Sequence, residues 1–115
     1  MAQMIQRGRE LVRINFQKNY IEYSIDGGRN WNTRCTSSSY GTFKDLLDYG
    51  SELLACTSKG IYYSRDDGRY WNSRCISSAY GTFMELMAYG SNVLLANTSK
   101  GLYYSEDGGR YWNKR

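Results

Sequence analysis

The stretch Tyr62–Cys75, YYSRDDGRYWNSRC, has two near-copies in the same chain: EYSIDGGRNWNTRC from Glu22, and YYSEDGGRYWNKR from Tyr103 to Arg115. Aligned on Ser24, Ser64 and Ser105, the copies stand 40 and then 41 residues apart. The likeness runs well beyond the phrase. SSSYGTFKDLLDYGSELLACTSKGIYYS from Ser37 returns as SSAYGTFMELMAYGSNVLLANTSKGLYYS from Ser77. A period near 40 residues marks a repeated supersecondary unit that buries its apolar surface against its neighbours.

With 115 residues, these units are parts of one core and not separate domains. Hydrophobic residues make up 41% and aromatics 16%, with twelve Tyr and three Trp, which suits a packed interior and excludes a disordered chain. No apolar run approaches the ~20 residues of a membrane helix, and the first ten residues lack the apolar core of a secretion signal. Cys35, Cys56 and Cys75 are odd in number and without CxxC spacing, so neither a disulfide framework nor a thiolate metal site is expected. These features together predict a cytoplasmic protein without a cofactor or metal. The net charge of +4 favours anionic partners but falls short of a nucleic-acid-binding signature.

Within a unit, short runs rich in Tyr, Leu, Val and Thr alternate with Gly and Ser; proline is absent and no helical period is sustained. The middle unit reads as four strands, at about Phe43 to Tyr49, Glu52 to Thr57, Ile61 to Ser64 and Tyr70 to Ile76. YGS at Tyr49–Ser51 and SKG at Ser58–Gly60 supply the glycines of tight hairpins. The third turn is the repeated phrase itself: a short carboxylate accepts backbone N–H groups, a glycine takes the unusual backbone conformation, and Trp71 turns back into the core. The units span about 1–36, 42–77 and 82–115.

The pattern Ser-x-Asp-x-Gly-x-x-Trp resembles the Asp-box, or bacterial neuraminidase repeat. It occurs as Ser24, Asp26, Gly28, Trp31; as Ser64, Asp66, Gly68, Trp71; and as Ser105, Asp107, Gly109, Trp112. The family often has Thr before the Trp, where this chain has Asn30, Tyr70 and Tyr111. The resemblance covers essentially the whole chain. It implies an all-β fold of three four-stranded β-propeller blades, with each motif between the third and fourth strands. Met1 to Gly8 matches Phe43 to Gly50 and Phe83 to Gly90, so the chain reads as three whole blades. Three blades leave two apolar faces uncovered. Propellers carry 4–8 blades, so the expectation is a homodimer closed as a six-bladed ring; the alternative is a piece of a longer propeller.

Enzymatic readings are weak. Histidine is absent, which removes the commonest general base and metal ligand. Sialidases of the resembling family use an arginine cluster, a Tyr–Glu pair, an acidic proton donor and an Arg-Ile-Pro motif. This chain has only Arg13-Ile14-Asn15, so those roles are not carried over. The motif aspartates read as turn fasteners. Asp45 and Glu85 fall at matching first-strand positions, with Gln3 in the first unit, and read as a solvated channel lining, with a cation site as the alternative.

Ligand candidates lie on the opposite face, in the loops joining fourth to first and second to third strands. Tyr40 and Tyr80 offer flat rings, Ser38, Ser39 and Ser78 offer hydroxyls, and Lys59, Lys100, Arg34 and Arg74 offer positive charge. Loops on a rigid scaffold commonly carry binding. The expected function is non-enzymatic, lectin-like glycan binding; the alternatives are sequestration of an anionic ligand such as a nucleotide, or a protein-interaction scaffold.

Overall fold

A computed structural model describes residues 4–115. Unit 1 contains β1 (Met4–Arg7), β2 (Glu10–Asn15), β3 (Tyr20–Ser24) and β4 (Asn32–Cys35). Unit 2 contains β5 (Phe43–Tyr49), β6 (Glu52–Thr57), β7 (Gly60–Ser64) and β8 (Asn72–Cys75). Unit 3 contains β9 (Phe83–Tyr89), β10 (Val93–Thr98), β11 (Gly101–Ser105) and β12 (Asn113–Lys114). Each unit is one antiparallel sheet whose strands lie side by side in chain order. A single 3-10 turn, Ser78–Tyr80, is the one helical element among the described residues. None of their helices is long and apolar enough to cross a membrane.

The first two strands of unit 2 coincide with the runs read from the sequence. The third begins one residue earlier, at Gly60, where φ is 138° and an added Cβ would lie 2.3 Å from the Cys75 carbonyl oxygen. Only glycine lets β8 approach so closely. The fourth strand is shorter than expected because its first residues serve the turn. Tyr70 N–H donates to Asp66 and Trp71 N–H to the Tyr40 hydroxyl, so neither joins the ladder. At the other end Ile76 is 61% exposed and opens the link to the next unit.

Alternation along the strands gives each sheet two working faces. Val12, Ile14 and Ile21 of unit 1 pack with Phe43, Leu46 and Leu53 of unit 2. Leu54, Cys56 and Ile61, on the other face of unit 2, pack with Phe83, Leu86 and Leu94 of unit 3. The core is therefore two parallel seams, with unit 2 between its neighbours. Each buried Leu, Ile or Phe stabilises by roughly 1.5–3 kcal/mol. The first strands adjoin one another, β1 against β5 and β5 against β9, while β4 and β8 lie at the opposite sheet edges.

Candidate functional site

Each Ser-Asp-Gly-Trp motif is a closed hydrogen-bonded turn. In unit 2, Ser64 Oγ donates to Asp66 Oδ1 at 2.7 Å and accepts Gly68 N–H at 2.9 Å. Asp66 Oδ1 accepts Tyr70 N–H at 3.0 Å, and Trp71 Nε1 donates to the Gly68 carbonyl at 3.1 Å. Units 1 and 3 repeat the set through Ser24 and Asp26 and through Ser105 and Asp107. Asn30 N–H, joined by the Ser24 hydroxyl and the Asn30 amide, holds Asp26 down to about 2. Burial opposes ionisation of Asp66 and Asp107, but backbone and serine hydrogen bonds outweigh it and both stay below the usual carboxylate range. A carboxylate so engaged is a fastener and a poor proton carrier.

The sequence-predicted residues divide among three places. Arg34 and Arg74 have side chains only 2% and 3% exposed. Arg34 makes a bidentate pair with Glu10 at 2.7 and 2.8 Å, and Arg74 pairs with Glu52 at 2.5 and 3.1 Å. Each guanidinium stacks over a tyrosine, Tyr23 at 3.9 Å and Tyr63 at 4.2 Å. Each also reaches across a seam, Arg34 to the Asp67 carbonyl at 3.2 Å and Arg74 to the Gly108 carbonyl at 3.3 Å. Their hydrogen bonds push Glu10 and Glu52 below the ordinary carboxylate range.

Tyr40 and Tyr80 are structural in the same way. The Tyr40 ring lies 5.5 Å from Tyr62 and 6.3 Å from Phe43, and its hydroxyl accepts Trp71 N–H at 3.3 Å. Tyr80 repeats this with Tyr103, Phe83 and Trp112. Lys59 Nζ donates to the Ser39 carbonyl at 3.0 Å and Lys100 Nζ to the Ala79 carbonyl at 3.4 Å. Ser38 supplies a carbonyl for Gly41 N–H, Ser39 shares a hydrogen bond with Ser37, and Ser78 receives Gly81 N–H. Lys59 and Ser78 line a small cleft of about 320 Å³, apart from the arginines.

Asp45 differs from its expected place in a solvated channel. It is fully buried, and its Oδ2 accepts Leu86 N–H at 3.0 Å across the second seam. Glu85 accepts the Asn97 amide at 3.1 Å. Gln3 lies outside the described residues. No group of three His, Cys, Asp or Glu among the described residues is arranged to hold a metal. Burial pushes all three cysteine thiols up, most strongly Cys56, which disfavours thiolate chemistry.

Two equivalent clefts open along the outer ends of the seams. One, about 400 Å³, is lined by Tyr23, Arg34, Tyr40, Arg69 and Tyr70 beside β4. The other, about 600 Å³, is lined by Tyr63, Arg74, Tyr80, Arg110 and Tyr111 beside β8. Arg34, Tyr40, Arg74 and Tyr80 thus form the walls. The remaining chemistry comes from Arg69, Arg110, Tyr70 and Tyr111, none of which is among the ligand residues expected from the sequence. Tyr70 and Tyr111 are each 72% exposed. Arg69 Nη1 donates to the Asp66 carbonyl at 2.9 Å and Arg110 Nη1 to the Asp107 carbonyl at 2.7 Å; among the described residues neither has a carboxylate within ion-pair distance. The signal for them was the residue following each motif glycine, basic in all three copies as Arg29, Arg69 and Arg110.

Against solved structures, the chain superposes on YCF48 bound to D1 peptide with a TM-score of 0.72 and 18% identity, over 97% of this chain and 39% of that one. YCF48 from Cyanidioschyzon merolae matches with a TM-score of 0.66 and 18% identity, over 93% and 40%. The fold is that of β-propeller blades. A computationally designed protein, Ika4, matches with a TM-score of 0.60 and 9% identity, over 91% of this chain and 64% of that one. The chain spans about two fifths of each YCF48 chain. No protein-family model matches the chain, and no curated protein does.

Proposed function

We propose that this chain is a non-enzymatic protein-interaction module whose seam clefts hold extended, acidic polypeptide segments. The observation that carries the reading is the pair of equivalent clefts, each with a guanidinium that has no carboxylate within ion-pair distance among the described residues and a tyrosine largely in solvent. Each cleft runs beside a strand at the edge of its sheet, β4 or β8. An extended peptide can use the open backbone groups of such an edge. Its carboxylates would meet Arg69 or Arg110, and Tyr70 or Tyr111 would cover its apolar side chains. That YCF48, on a similar fold, has a structure with a bound peptide supports the same class of ligand.

Glycan binding through Tyr40 and Tyr80 has less support, because both rings are partly buried against other aromatics and their hydroxyls are engaged by Trp71 and Trp112. The lack of histidine, the engaged motif aspartates and the raised thiols favour binding over catalysis. The test is fluorescence anisotropy with a labelled ten-residue peptide alternating Glu and Val, and a control with Gln for Glu. Saturable binding of the Glu peptide, weakening with salt and lost in Arg69→Ala/Arg110→Ala, is the expected result. No binding, or equal binding of both peptides, would overturn the reading. Competition by ATP with the same arginine dependence would turn it to small anions instead.

A further inference from the structure

Both seams are crossed by the same arginine-to-carbonyl bond, and the two outer faces carry the halves of another. The arginine near the end of the fourth strand crosses to the carbonyl of the fourth residue of the next turn motif: Arg34 to Asp67, Arg74 to Gly108. In unit 3 that arginine is Arg115, stacked on Tyr104 at 5.3 Å. The corresponding carbonyl on unit 1 is that of Gly27. At the first strands, Asp45 accepts Leu86 N–H across the second seam. The residue equivalent to Asp45 in unit 3 is Glu85, and the one equivalent to Leu86 in unit 1 is Met4.

The surrounding positions fit as well. The outer face of unit 3 presents Met87 and Leu102 where the buried seams have Leu47 and Ile61; unit 1 presents Met4 and Leu11 where they have Leu86 and Leu94. Met4 is 52% and Met87 37% exposed. Polarity enters at matched places. Arg13 stands where the seams have Ala55 and Ala96, and Asn97 where they have Ile14 and Cys56. Arg13, paired with Glu22 at 2.8 Å, gives unit 1 a polar patch whose charges are matched, and Glu85 bonded to Asn97 gives unit 3 a polar patch with an acidic group.

We propose that the outer face of unit 3 docks on the outer face of unit 1 of a second copy of this chain, so that two copies close through two identical head-to-tail seams. Arg115 then donates to the partner copy's Gly27 carbonyl, and Glu85 accepts the partner copy's Met4 N–H. Heterologous contacts of this kind give a closed ring when the rotation between copies closes, and six blades fall within the propeller range. The new seam brings Tyr104 and Arg115 beside the partner copy's Arg29, with Asn30 where the two clefts have their exposed tyrosine. The docking rests on the faces alone and not on the function proposed above.

Native mass spectrometry and sedimentation of the 115-residue chain test the docking. The expected mass is twice the 13.3 kDa of one chain; a monomer, or an unbounded series of larger species, overturns the proposal. Met4→Glu blocks the exposed part of one face and Met87→Glu the other, with circular dichroism confirming that both variants fold. Each variant alone is expected to lose the dimer, and an equimolar mixture to recover a one-to-one heterodimer through the single intact seam. Dimers that survive both substitutions, or a mixture that stays monomeric, would show that another surface is used. Peptide stoichiometry then reads the binding proposal separately: two sites per chain, in the dimer and in Met87→Glu alike.

Discussion

Trp31 and Trp71 end the same turn motif and occupy different surroundings. Trp71 is 4% exposed, lies 5.6 Å from Phe43, and its backbone N–H is held by Tyr40 from the preceding link. Trp31 is only partly buried, and the Arg13 guanidinium stacks on it at 4.0 Å. Inside both turns the bonds are nearly the same: Gly28 N–H and Gly68 N–H each reach their serine at 2.9 Å. The motif is thus locally complete, whereas the burial of its tryptophan comes from the neighbouring unit. Local hydrogen bonding and seam packing are separable contributions, and perturbations can be chosen to strike one or the other.

Acid is expected to have the largest effect, because it removes what all three turns share. Asp26, Asp66, Asp107, Glu10 and Glu52 are all held below their ordinary values when folded. The unfolded chain therefore binds more protons, and their stabilisation is fully present above the ordinary values of 3.8 to 4.5 and lost as pH falls toward about 2. Urea midpoints measured from pH 7 down to pH 2 should drop most steeply in that window; a flat profile would remove the fasteners from the account.

Trp71→Ala comes next and should cost roughly 3–5 kcal/mol, the range for deleting a buried large aromatic. Trp31→Ala should cost less than half as much. Equal losses in chemical denaturation would mean that the seam contributes nothing to the difference. Ser24→Ala and Ser64→Ala remove the same bonds in the two turns and should each cost about 1–3 kcal/mol, with no distinction between them. A large gap between the serine variants would break the claim that the turn is self-contained. The smallest effect is assigned to Tyr40→Phe, which keeps the ring but removes the acceptor of Trp71 N–H, at roughly 0.5–1.5 kcal/mol. Amide exchange at Trp71 should speed up in that variant while exchange at Trp31 is unchanged.

The strand positions were legible because the hairpin glycines and the alternating apolar residues repeat at one period, so three copies corroborate each assignment. Strand ends were less legible where turn and ladder compete for the same N–H groups, as at Tyr70 and Trp71. Arg34 and Arg74 were legible as positive charge, but their cross-strand partners were not. Glu10 and Glu52 lie two strands away within the same sheet, and only the register of β2–β4 and β6–β8 brings carboxylate and guanidinium together. Asp45 was hidden by a register shift between Phe43 and Asp45 that turns its carboxylate toward unit 3. Arg69 and Arg110 were visible as letters but not as a site, because their cleft needs the fourth strand of the preceding unit as its other wall.

Strand order equal to chain order bears on how the molecule is made. Every ladder joins strands adjacent in sequence, so a unit can zip up as a meander once about forty residues have left the ribosome, without waiting for distant chain. Such local pairing favours fast folding. The sheet of unit 1 would then stand for a time with Val12, Ile14 and Ile21 in water until unit 2 arrives to cover them. Synthesis slowed between residues 36 and 42 would lengthen that interval and expose the nascent chain to misassociation at this identifiable surface.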